Sequence, residues 1–127
     1  MQLNTHNRMF MLTRKKLGVI DHWGVQLPNG LVAHCLPRIG VCVTTPEEFA
    51  QGEEVSTLGE IPMNLYGQIM QKLQQACANQ RPYVIGEWDC EIFAKWLVGE
   101  KAENSQVKVW TIVALGLVAL GVAARMG

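Results

Sequence analysis

A chain of 127 residues supports one domain of ordinary size, and 49% hydrophobic residues with no internal repeat is a globular composition. The 11 basic and 11 acidic residues cancel, so no charge excess points to a nucleic-acid partner. The four cysteines (Cys35, Cys42, Cys77 and Cys90) lack metal-finger spacing, and the N-terminus has no apolar core followed by a small-residue cleavage site. Reduced thiols in a cytosolic compartment and no signal peptide are therefore expected.

In chain order, residues 16–20 and 22–27 read as one extended stretch, with residues 31–36 as its hairpin partner. Residues 40–45 are a third strand. Thr45 then suits a helix N-cap, with Pro46 at the first helical position and acids in the first turn. Gly52 keeps that helix short, and residues 54–58 form a further strand. Leu65, Ile69, Leu73 and Ala76 recur at helical spacing and predict an amphipathic helix over residues 63–79. "RPYVI" reads as a short strand, and "DCEIFAKWLVG" as a helix ending near Gly99. Strands followed by helices indicate an α+β domain, here residues 1–100, with an antiparallel sheet packed on helices.

Residues 101–108 are polar and read as a linker. Residues 109–124, "VWTIVALGLVALGVAA", carry no charge and are bracketed by Lys108 and Arg125. As a helix they would be about 24 Å long, somewhat short of the ~30 Å hydrocarbon core, a difference that snorkelling by the flanking cations would cover. Apolar all round, this helix is expected to be a single-pass membrane anchor rather than a core element.

The loop "LPNGL" decides how His22 and His34 relate. A two-residue Asn29-Gly30 loop would put them on opposite faces of the hairpin. A three-residue loop of Pro28, Asn29 and Gly30 sets His34 opposite Gly24 and places His22 diagonally beside it on the same face. Pro suits the first position of such a loop and Gly the last, so the second register is expected. One face then carries His22, Gly24, Gln26 and His34, and the other carries Trp23, Val25, Leu27, Leu31 and Ala33.

A nucleophilic thiol needs a base and a positive field. Cys90 stands at the start of a predicted helix, where the dipole and free N–H groups favour an anion. For Cys35, Cys42 and Cys77 burial is the simpler expectation.

"HWGVQLPNGLVAHC", followed some fifty residues later by "DCEIFAKWLVG", resembles the lecithin:retinol acyltransferase family. The likeness is nearest to its small phospholipase/acyltransferase branch, related to H-Ras suppressors. His22, Trp23, Gly30, His34, Cys90, Glu91 and Phe93 match that family's two blocks in order and spacing, over roughly residues 21–99. The resemblance implies a circularly permuted papain-like (NlpC-type) fold. Cys90 would be the nucleophile, His22 its base, and His34 the residue that orients His22. Asp89 replaces the family's asparagine, and Ile92 replaces the histidine two positions after the cysteine. An Asp-Cys pair is also found in NlpC-type cell-wall peptidases, which leaves the substrate class open.

The expected chemistry is attack of the Cys90 thiolate on a lipid ester, an acyl-enzyme, and release to water or to an acceptor amine or alcohol. The substrate would be a phospholipid or another lipid ester at the cytoplasmic face of a membrane. No metal and no other cofactor is required. A cysteine amidase or peptidase of NlpC type is the alternative enzyme, and a non-catalytic membrane-associated interaction module is the alternative outside catalysis.

Overall fold

The computed structural model of the chain describes residues 7–16 and 20–100. The linker expected at 101–108 and the apolar helix expected at 109–124 lie outside the described residues. Among the described residues no helix is long and apolar enough to cross a membrane. Strands β1 (Phe10–Lys16), β2 (Ile20–Gln26), β3 (Val32–Leu36) and β4 (Gly40–Thr44) precede the short helix α1 (Pro46–Ala50). Strand β5 (Val55–Glu60), a single 3-10 turn (Met63–Leu65), and helices α2 (Tyr66–Ala78) and α3 (Cys90–Val98) follow. The fold is α+β, with a five-stranded antiparallel sheet in the order β4-β3-β2-β1-β5.

Alternation along the strands gives the sheet two unlike faces. Met11, Val25, Ala33, Cys35 and Val41 share one face and form the main core with Ile69 and Leu73 of α2 and Phe93, Ala94 and Leu97 of α3. Phe93 and Leu97 are fully buried, and each such side chain contributes about 1.5–3 kcal/mol. The opposite face carries Leu12, Arg14, His22, Gly24, Val32 and His34, and α1 covers it with one large side chain, Phe49.

Local chemistry sets the ends of the helices. Thr45 caps α1, its side chain accepting from the Glu48 N–H at 3.1 Å, with Pro46 at the first helical position. Asp89 caps α3, and Gly99 ends it in the left-handed conformation at φ 83°. At the β4 edge, the Gln80 amide accepts from the Val41 N–H at 2.9 Å and donates to the Val41 carbonyl at 2.8 Å, occupying groups an edge strand otherwise exposes.

Two expectations are corrected. Residues 16–27 are not one extended stretch: β1 and β2 run antiparallel, with Lys16 opposite Ile20, so the chain reverses there. "RPYVI" is not a strand of the sheet. Gly86, at φ 87°, turns the chain back so that Val84 and Trp88 bond each other, at 2.9 and 2.8 Å.

Candidate active site

The β2–β3 loop consists of Pro28, Asn29 and Gly30, closed by the Leu27 N–H donating to the Leu31 carbonyl at 2.8 Å. Gly30 takes φ 86°, the left-handed position such a loop needs. His34 therefore pairs with Gly24, and His22 lies diagonally beside it on the same face. The two rings are in direct contact, with Nε2 of His22 2.8 Å from Nδ1 of His34 and ring centroids 5.1 Å apart. Both are buried, His22 fully.

Gly24 has a packing reason. A Cβ there would stand 2.5 Å from Cε1 of Phe49 and 2.9 Å from Cγ1 of Val32. The missing side chain makes room for the Phe49 ring, whose centroid lies 5.4 Å from that of His22 and 5.2 Å from that of His34. One aromatic ring from α1 thus holds both imidazoles from the side.

Beyond His34 the polar chain continues. Nε2 of His34 lies 2.8 Å from the Thr44 hydroxyl, which donates to the Thr45 carbonyl at 3.3 Å. Burial, and next the charge of Arg14, lower the His34 pKa to about 4 against a weaker opposing effect of Glu48, so this imidazole is neutral near pH 7.

Cys90 begins α3, which packs against β2 and β3. Its sulfur lies 3.9 Å from the carbonyl oxygen of Asp21, the residue before His22, and the thiol is almost wholly buried. The structure thus joins His22 to His34 directly and brings Cys90 to the peptide unit that leads into His22. Both Asp89 carboxylate oxygens are engaged by the backbone: one accepts from the Ile92 N–H at 3.0 Å and the other from the Gly86 N–H at 2.8 Å. Ile92 joins the core, and Glu91, fully buried, pairs with Lys95 at 2.6 Å. Of the other thiols, burial and then the charge of Cys90 push Cys35 up to about 12, and Cys42 is half-buried. Cys77 is exposed on α2, against the expectation of burial, because it falls on the outer side of a helix whose inner positions are Ile69, Leu73 and Ala76.

Two residues at the site are ones sequence reasoning misses. The Tyr83 hydroxyl is within hydrogen-bonding reach of both the Cys90 thiol and the Cys90 backbone N–H; burial, then the charge of Cys90, raises its pKa. Arg14 lies opposite His22 in the β1–β2 register, 7% exposed, with Nε donating to the Phe49 carbonyl and Cζ 5.9 Å from the Phe49 ring centroid. Recognising β1 as a strand would have placed Arg14 on the histidine face, two positions from Leu12. For Tyr83 the sequence carries no comparable signal.

Among the described residues no group of three or more His, Cys, Asp or Glu side chains is arranged to hold a metal ion. No protein-family model matches the chain, and neither a curated protein nor a solved structure matches it.

Proposed function

We propose that this chain is a thiol acyl hydrolase or acyltransferase, resembling the lecithin:retinol acyltransferase family, that cleaves ester bonds of membrane lipids through an acyl-Cys90 intermediate. The observation that carries this reading is the 2.8 Å contact between His22 and His34 at the strand end where the Cys90 sulfur lies. A buried imidazole pair beside a thiol at a helix N-terminus combines a base, an orienting group and a field favourable to an anion.

Counting hydrogens along the polar chain assigns the roles. The single hydrogen of the Thr44 hydroxyl goes to the Thr45 carbonyl, so its oxygen accepts from Nε2–H of His34. Nδ1 of His34 then accepts from Nε2–H of His22, which leaves the lone pair of His22 on Nδ1. That nitrogen takes the Cys90 proton as the sulfur attacks the ester carbonyl. The oxyanion is met by the Cys90 backbone N–H and the Tyr83 hydroxyl. Collapse breaks the carbon–oxygen bond, and the leaving alcohol takes the proton from His22. Water or an acceptor then gives a proton to Nδ1 and attacks the thioester, and the proton returns to sulfur.

The order of parts, two histidines on neighbouring strands and then a cysteine helix, fits a circularly permuted papain-like arrangement. Residues 109–124 would anchor the enzyme at the cytoplasmic face of a membrane, confining it to the surface that holds its substrate. Fatty-acid release from mixed-phospholipid vesicles tests the reading. Full-length protein is expected to release it and Cys90→Ser is not; equal release by both would overturn the assignment.

A further inference from the structure

We propose that Arg14 is a permanent second counter-charge for the Cys90 thiolate, a positioning residue that keeps this sulfur ionised when the His22 imidazole is neutral. The proposal rests on the thiol reading above.

The geometry begins with the strand register. Arg14 lies opposite His22, and the next pair along is Lys15 with Asp21, whose carbonyl oxygen is 3.9 Å from the Cys90 sulfur. The guanidinium is fixed rather than free. Its Nε donates to the Phe49 carbonyl, its Nη1 lies 3.5 Å from the Lys15 carbonyl, and its Cζ stands 5.9 Å from the ring that packs on both imidazoles. Backbone carbonyls hold the group without cancelling its charge. A buried arginine keeps its proton throughout the range in which thiols and imidazoles titrate.

The surrounding charges do not displace it in this role. Around Cys90, Glu91 pairs with Lys95 and Asp21 pairs with Lys15 at 2.9 Å, while Asp89, held by two backbone N–H groups, keeps its charge and opposes the thiolate, which a fixed cation offsets. Tyr83 and Cys35 are neutral near pH 7, both raised chiefly by burial. On the far side, Glu53 also attracts Arg14, and Glu48 and Arg14 act oppositely on His34. The Arg14 guanidinium is itself stabilised by the Cys90 charge, against the cost of its burial. In turnover the Cys90 proton goes to His22, and at a pH where His22 is neutral it is lost to solvent. In that second state an imidazolium no longer balances the thiolate, while the guanidinium still does.

The test is the pH dependence of Cys90 alkylation by iodoacetamide in the full chain, read at the Cys90 peptide by mass spectrometry. Arg14→Met is expected to raise the midpoint by about one pH unit, a tenfold loss of thiolate below it, well within what removing one neighbouring charge supplies at an effective dielectric of ~20. Arg14→Lys, which keeps the charge, should stay near the wild-type profile. His22→Gln should leave the midpoint below the ordinary thiol value of about 8.5. The last variant keeps the proposal falsifiable if Arg14→Met fails to fold. An Arg14→Met profile superimposed on the wild type would overturn the proposal. A His22→Gln midpoint at or above about 8.5 would overturn it equally. Failure of the lipase reading looks different: a low Cys90 midpoint with no fatty-acid release would leave the Arg14 role standing and remove the substrate.

Discussion

Gly24→Ala is a one-methyl perturbation whose effect follows from three distances. The new Cβ would lie 2.5 Å from Cε1 and 3.1 Å from Cδ1 of Phe49, and 2.9 Å from Cγ1 of Val32. All three atoms belong to fully buried side chains, and the ring is hemmed in by both imidazoles, so a small rotation cannot relieve the clash. Overpacking of this kind costs about 1–3 kcal/mol, and the better strand propensity of alanine returns roughly 0.5–1. A net loss of about 1–2 kcal/mol is expected, measured by urea denaturation. Because the displaced ring is the one that holds His22 and His34, Cys90 alkylation near neutral pH should slow as well. Phe49→Leu in the same chain should recover part of the lost stability, a coupling that a double-mutant cycle reads directly. A neutral or stabilising Gly24→Ala, or a cycle with no coupling, would refute the account of why glycine stands there.

The His34 pKa of about 4, against 6.5 for the unfolded chain, makes stability rise with pH across that window, since the unfolded state binds the extra proton. Between pH 7 and 4 the loss should approach about 3 kcal/mol relative to His34→Gln, and parallel pH profiles would contradict it. Thr44→Val should cut turnover while Thr44→Ser preserves it, because only the hydroxyl accepts from Nε2–H of His34; equal rates would remove Thr44 from the relay. Asp89→Ala should cost about 0.5–2 kcal/mol through the lost cap, and Asp89→Asn less, because its amide oxygen still accepts from the Ile92 N–H; the reverse order in thermal melts would contradict the capping role. Deleting residues 107–127 should release a cooperatively folding chain from membranes. An insoluble truncation from a full-length protein soluble without detergent would make the segment part of the core.

The parts legible in the sequence are those fixed by neighbours along the chain. The hairpin register follows from Pro28, Asn29 and Gly30, and the structure has the expected pairing of His34 with Gly24. The Thr45 cap, the Pro46 start and the Gly99 stop are equally local, and each is where its residue type indicates. Strand β1 was not legible because "FMLTRKK" shows no clean alternation and acquires its conformation from β2 and β5, one of them more than forty residues away. With β1 went Arg14. The sequence places Gly24 on the histidine face but gives no reason for glycine there; the reason is Phe49, a helix residue brought over the sheet by tertiary packing. The contacts of Asp89 also needed coordinates: its carboxylate accepts from the N–H groups of Gly86 and Ile92, a contact set that spacing alone leaves open.

The central claim is that Cys90 carries an acyl group during turnover. Intact-mass measurement of the full-length chain after brief exposure to mixed phospholipids tests it most directly, with peptide mapping to locate any adduct. The account predicts a mass increase of one fatty acyl chain, confined to Cys90, absent in Cys90→Ser and lost on treatment with hydroxylamine. Turnover of lipid with the acyl group on another residue, or an unmodified chain under conditions where fatty acid is released, would contradict it.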